Sequence, residues 1–151
     1  MYIFLYILIC LSTNLYASDL GITGIIDTPN ARMQNDGRLK VSFSHQELVN
    51  ITNITYQATP WLETTFRYAY GSPYKDRSYA AKIKLIKESE LTPAVAIGIQ
   101  DILGTGVFGS EYVVASKKIN NFDISLGLGW GRLAGKNSFK NPLLSISDTF
   151  A

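Results

Sequence analysis

After residue 38 the chain alternates apolar and polar side chains with a period of two, and no segment shows a comparable helical period. That period places successive side chains on opposite faces of an extended backbone, so the chain must build half-buried strands. In 38–44, Leu39, Val41 and Phe43 share one face and Lys40, Ser42 and Ser44 the other. Ile54, Tyr56 and Ala58 oppose Thr55 and Gln57 in 53–59, and Thr59-Pro60-Trp61 breaks the run, since proline cannot donate to a ladder. Leu62, Thr64, Phe66, Tyr68 and Tyr70 then oppose Glu63, Thr65, Arg67 and Ala69. Gly71-Ser72-Pro73 and the polar stretch 74–77 read as a loop before Tyr79, Ala81, Ile83 and Leu85, which oppose Ala80, Lys82 and Lys84. After a turn at 88–93, Val95, Ile97 and Ile99 alternate with Ala94, Ala96 and Gly98. A further strand is expected at 110–117, beyond the glycine-rich 104–109, and Asn120-Asn121 supplies the next turn. The last run sets Phe122, Ile124, Leu126, Leu128 and Trp130 against Asp123, Ser125, Gly127, Gly129 and Gly131, whose glycines let the strand bend or another backbone approach.

The expected fold is all-β: an antiparallel meander of about seven strands. Nine Tyr, seven Phe and twelve Gly suit strands and tight turns, and 17 % charged against 46 % hydrophobic residues excludes a disordered chain. At 151 residues there is room for one domain. One Cys and one His cannot organise a metal cage or a disulfide framework, and a net charge of +2 offers no footprint for nucleic acid. No cofactor is expected.

Residues 1–11 are apolar and uncharged, too short for a spanning helix of about 20 residues. Leu15-Tyr16-Ala17 precedes Ser18 with a small residue at the expected cut, the layout of a cleavable secretory signal over 1–17, though without a basic n-region. Ile9 before Cys10 makes a poor lipoprotein site, so Cys10 reads as filler removed with the signal. The mature part, 18–151, then carries no thiol, which suits an oxidising compartment.

Alternation alone does not separate a membrane barrel from a soluble sandwich. Three features favour part of an outer-membrane β-barrel. Tyr68, Tyr70, Tyr79 and Trp130 sit at the ends of apolar faces, as at a membrane–water girdle. The runs 62–70 and 122–130 match the 9–11 residues or so of a tilted membrane strand. The export signal leads to the compartment where such barrels reside. The opposite face, carrying Glu63, Arg67, Lys82, Lys84 and Asp123, would look into the lumen. These charges read either as contacts for an acidic glycan or as a mutually paired network that holds the barrel open.

Several motifs lack the context their chemistry needs. Gly104-Thr105-Gly106-Val107-Phe108-Gly109 fits G-x-G-x-x-G, but a strand follows where a dinucleotide fold needs a helix. Ser72-Pro73-Tyr74-Lys75 fits S-x-x-K, but Gly71 and Pro73 argue for a loop, and no partner motif exists. The stretch 131–136 has the wrong spacing for a P-loop. His45 has no nucleophile at a fixed spacing and reads as a strand-end polar residue. Asn50-Ile51-Thr52 and Asn53-Ile54-Thr55 fit a glycosylation acceptor pattern that matters only in a eukaryotic cell. No constellation supports an enzyme.

The stretches 21–33 (GITGIIDTPNARM), 59–68 (TPWLETTFRY), 74–78 (YKDRS), 100–117 (QDILGTGVFGSEYVVASK) and 126–135 (LGLGWGRLAG) together resemble one family. It is the YjbH/GfcD-like exopolysaccharide and capsule proteins of the Gram-negative outer membrane. The resemblance implies a large non-enzymatic barrel in the cell outer membrane, with lipid, polysaccharide and other polysaccharide-export proteins as partners. Arg32, Lys75, Asp76, Arg77, Asp101, Glu111 and Arg132 lie in the shared motifs and are candidates for turns that fix loops, for lumen contact or for glycan contact, and Glu63, Arg67, Lys82 and Lys84 join them as lumen or glycan candidates. Family members are several times longer, and about seven strands fall short of the eight of the smallest single-chain barrels. The chain therefore reads as the front part of a truncated or split gene product; several copies or a companion chain completing the barrel are the alternatives. Two rivals come from other classes. One is a soluble periplasmic β-sandwich that binds glycan through surface Tyr and Trp. The other is a polysaccharide hydrolase using Glu63 and Glu111.

Overall fold

The computed structural model describes residues 18–46, 48–71, 75–135 and 140–145. Among these a two-stranded hairpin, β1 (Gly24–Ile25) and β2 (Thr28–Pro29), precedes a seven-stranded antiparallel sheet. Its strands are β3 (Leu39–Gln46), β4 (Val49–Thr59), β5 (Leu62–Gly71), β6 (Lys75–Ile86), β7 (Ala94–Ile102), β8 (Ser110–Ile119) and β9 (Phe122–Gly129). Each pairs with its neighbours in chain order, so the topology is a simple meander with β3 and β9 at the edges. Two short 3-10 turns, Gly131–Leu133 and Pro142–Ser145, complete it, with no α-helix among the described residues. Among the described residues the seven-stranded sheet is faced by no other sheet than the small β1–β2 hairpin, with two residues per strand, which is not the two-sheet packing of a sandwich. The signal read at 1–17 and the Ser72-Pro73-Tyr74 stretch lie outside the described residues.

All seven alternating runs form strands, with two corrections. The charged stretch from Lys75 read as a loop belongs to β6, where Lys75, Asp76 and Arg77 stand opposite Tyr70, Ala69 and Tyr68 of β5. Strand pairing and the ion pair of Asp76 with Arg67 outweigh the loop-like composition. The second correction is the β1–β2 hairpin, too short for any periodicity to reveal.

The sheet curls around residues 18–34, which lie across one face and touch β3 to β6, β8 and β9. The covered face is the polar one. Asn53, Thr55, Gln57, Glu63, Thr65, Arg67, Asp76, Ser78, Lys82, Gln100, Ser110 and Ser116 are all buried on it. Apolar packing there is confined mainly to Leu20, Ile22 and Ala31 of the segment against Ala80, Ala94, Ala96, Tyr112 and Val114. The opposite face is apolar and open: Phe43 is 77 % exposed, Leu126 75 %, and Leu39, Val41, Ile54, Tyr56, Leu85, Ile124 and Leu128 are exposed as well. Polarity is thus inverted relative to a water-soluble domain, which buries its apolar face.

Aromatic side chains gather on the open face at one rim. Tyr68 and Tyr70 stack with centroids 5.5 Å apart, and Phe66 meets Tyr79 at 5.4 Å. Arg77 lies over the Tyr68 ring at 5.9 Å. Trp130 continues the outer row of β9 but is covered, sharing a groove of about 330 Å³ with Ile97, Ile99, Pro142 and Leu143. Gly131, at φ +64°, lets the backbone turn back onto Gly109, whose carbonyl accepts the Arg132 N–H at 2.9 Å.

Candidate functional site: the covered polar face

Three charge clusters stand on the covered face. At its centre the β5–β6 register sets Glu63 opposite Lys82, and both side chains are fully buried. The Glu63 carboxylate accepts the Thr23 N–H at 2.7 Å and the Thr23 hydroxyl at 2.5 Å. Lys82 Nζ lies 3.4 Å from Glu63 Oε1 and donates at 2.7 Å to the carbonyls of both Thr23 and Arg32. Two strands of the sheet thereby hold two separate points of the segment. Gly98 pairs with Lys82 on the next strand, and its missing side chain leaves room for the Tyr112 ring.

The second cluster lies towards the aromatic rim. Arg67 Nη2 is 3.7 Å from both Asp76 and Asp101, ion-pair distances rather than hydrogen bonds. Its guanidinium lies 4.1 Å from the Phe108 ring centre, and Arg132 approaches the same ring at 4.9 Å. The two carboxylates also accept backbone N–H groups of the glycine-rich loop, Asp76 from Thr105 at 3.1 Å and Asp101 from Phe108 at 3.0 Å. The G-x-G-x-x-G stretch is therefore a loop tied to the sheet end. Asp101 reaches inward through a bulge: Ala81 pairs with Ile99 but Tyr79 with Ile102, leaving one extra residue on β7, and Asp101 adopts φ +63°. A bulge of this kind re-aims a side chain that strict alternation would turn outward.

The third cluster is at the opposite rim. Arg32 makes a forked pair with Asp123, at 2.9 and 2.6 Å, and also bonds Glu88. Glu88 accepts the Lys118 N–H at 2.7 Å, and Lys117 stands 3.9 Å away. The hydrogen bond from Arg32 holds the Glu88 carboxyl below its usual range, and the bond to Asp123 raises the Arg32 guanidinium further above neutrality. A depressed carboxylate contributes stability above its unfolded pKa, lost as pH falls through the folded value. Protection of the Lys118 amide against hydrogen exchange, corrected for intrinsic rate, is thus expected to hold above about pH 5 and decline below it. Constant protection down to pH 3 or so would show that the Glu88 contact carries no weight.

The candidate residues divide by face. Glu63, Arg67, Asp76, Lys82 and Asp101 come together on the covered side; Arg132 joins them from the turn after β9, and Lys84 reaches the rim, donating to the Pro60 carbonyl at 3.2 Å. Lys75 and Arg77 stand on the other face, as does Glu111, which accepts from Asn141 at 2.9 Å. They do not join the cluster. Glu63 and Glu111 lie on opposite faces, so they cannot flank one glycosidic bond. His45 is the next-to-last residue of β3, exposed and bonded to Asn50 at 2.9 Å. Arg32, a sequence candidate, clamps the segment to Asp123 and Glu88; missed from the sequence was the uncharged row Asn53, Thr55, Gln57 and Ser116. The polar phase of the alternation was the only signal for that row. Among the described residues no cluster of His, Cys, Asp or Glu could hold a metal ion.

The family model described as exopolysaccharide biosynthesis protein YbjH (YjbH) matches residues 16–151. The chain belongs to the YjbH family. It is 42 % identical over 147 residues to a protein of Escherichia coli (strain K12) named "Uncharacterized lipoprotein YjbH", an alignment covering 88 % of this chain and 21 % of that relative. The chain thus spans about a fifth of the length of the curated YjbH relative it matches. That relative is named a lipoprotein, whereas Cys10 here reads as signal filler; Cys10 lies outside the described residues. No solved structure matches this chain.

Proposed function

We propose that the chain is the N-terminal part of a non-enzymatic outer-membrane β-barrel that serves exopolysaccharide or capsule biosynthesis or export, reached through a signal at residues 1–17. One observation carries this reading: charges and amides are buried on the curled-in face while Leu39, Val41, Phe43, Leu126 and Leu128 stand in the open. Water-soluble monomers rarely expose a continuous apolar surface beyond several hundred Å². Hydrocarbon is the solvent that matches such a face, and the rim of Tyr68, Tyr70 and Tyr79 matches its boundary with water. Family membership supplies the link to polysaccharide. The edges of β3 and β9 require further strands, because unpaired backbone groups in lipid cost several kcal/mol each. Those strands would come from a longer form of the chain, a companion or further copies.

The test is fractionation of the expressed protein. It should float with outer membranes and be extracted only by detergent. Recovery as a dispersed, folded species in the fluid released by osmotic shock would overturn the reading.

A further inference from the structure

We propose that the covered polar face is a binding track for a neutral, hydroxyl-rich chain, and that residues 18–34 occupy it as a built-in competitor. This rests on reading that face as a lumen. The sheet grips the segment mainly through its backbone. Thr55 donates to the Gly21 carbonyl at 2.7 Å, Lys82 to the Thr23 and Arg32 carbonyls, and Asn53 to the Asp19 carbonyl at 3.3 Å. Ser116 accepts the Ala31 N–H at 2.8 Å, Gln57 the Gln34 N–H at 3.1 Å, and Glu63 the Thr23 N–H. Small residues bring that backbone close: a Cβ on Gly21, itself at φ +78°, would fall 2.5 Å from Thr65 and 2.8 Å from Asn53.

A track that recognises alternating N–H and C=O groups is equally suited to hydroxyls, each of which donates and accepts. The segment also leaves part of the track unanswered. Asn53 Oδ1, Gln100 Nε2 and the Tyr112 hydroxyl have no hydrogen-bond partner, and each belongs to a side chain more than nine-tenths buried. An acidic polymer would meet carboxylates beside these cations: Lys82 and Arg67 face Glu63, Asp76 and Asp101, and Lys40, whose ammonium has no hydrogen-bond partner, also lies within the field of Glu63. At its far end the segment is fastened by Arg32 to Asp123 and Glu88, ion pairs that are partly exposed to solvent.

Trypsin cleavage at the Arg32–Met33 bond reports release, since Lys82 holds the Arg32 carbonyl in the docked state. In the unmodified protein in detergent, maltoheptaose at ten times its dissociation constant for the undocked form should raise that cleavage rate about tenfold while most of the protein is still docked, by selecting the undocked form. Asp123→Asn should raise the rate without sugar. Cleavage unmoved by maltoheptaose up to its solubility limit, or accelerated only by oligogalacturonate, would overturn the proposal. Such a result in protein that still floats with outer membranes leaves the barrel reading standing. Soluble protein whose cleavage still responds to maltoheptaose would remove the barrel and keep the track.

Discussion

Lys82→Met is expected to lower folding stability by about 3–5 kcal/mol, the range for breaking a buried charge pair by removing one partner. The side chain is fully buried, and its loss strands the Glu63 carboxylate and takes the donor from the Thr23 and Arg32 carbonyls. Methionine fills nearly the same volume, so the cost reports polar satisfaction rather than a cavity. Glu63→Gln alone should be milder, since an amide oxygen can still accept the Thr23 N–H. In the double variant the stranded charge is gone, and the combined loss should fall short of the sum of the singles by at least about 1 kcal/mol. Urea titration in detergent micelles measures all three. Additivity within about 0.5 kcal/mol would mean that the two side chains do not act as a pair.

Leu126→Arg separates hydrocarbon from water as the solvent of the open face. Leu126 lies in the middle of β9 and is 75 % exposed. An exposed leucine in water tolerates replacement within about ±0.5 kcal/mol. On the lipid face of a barrel, an arginine near the bilayer midplane costs about 2–4 kcal/mol. The variant should therefore assemble poorly into outer membranes and unfold at lower urea in phospholipid vesicles. Ser125→Lys, one residue away on the covered face, places its charge beside the Ser116–Ser125 contact and tests a different solvent. Equal stability of Leu126→Arg and wild type in vesicles would count directly against a lipid-facing surface.

The two substitutions address the two halves of one design. Apolar side chains on the open face supply no packed interior, so beyond the small cluster around Leu20, Ile22 and Ala31 the covered face coheres through hydrogen bonds and ion pairs. Such networks are costly when incomplete. Residues 18–34 supply much of the completion, offering backbone donors and acceptors to Thr55, Glu63, Lys82 and Ser116. The same dependence makes the segment a candidate for exchange with another polar chain.

Strand existence and strand face were legible in the sequence because both are local. Period-two alternation assigns each side chain to a face without reference to any partner, and seven such runs became β3 to β9. Glu63, Arg67 and Lys82 could be placed on a common side for the same reason. Tertiary structure alone decided the rest. Which face is covered depends on residues 18–34, whose contacts reach 85 and 91 positions along the chain, from Ala31 to Ser116 and from Arg32 to Asp123. Asp101 turns inward only because a bulge shifts the β6–β7 register, and Glu111, drawn from the same shared motif, faces away. Local pattern carries the direction of a side chain; the partner that completes it is set by distant chain, and no spacing rule in the sequence encodes that choice.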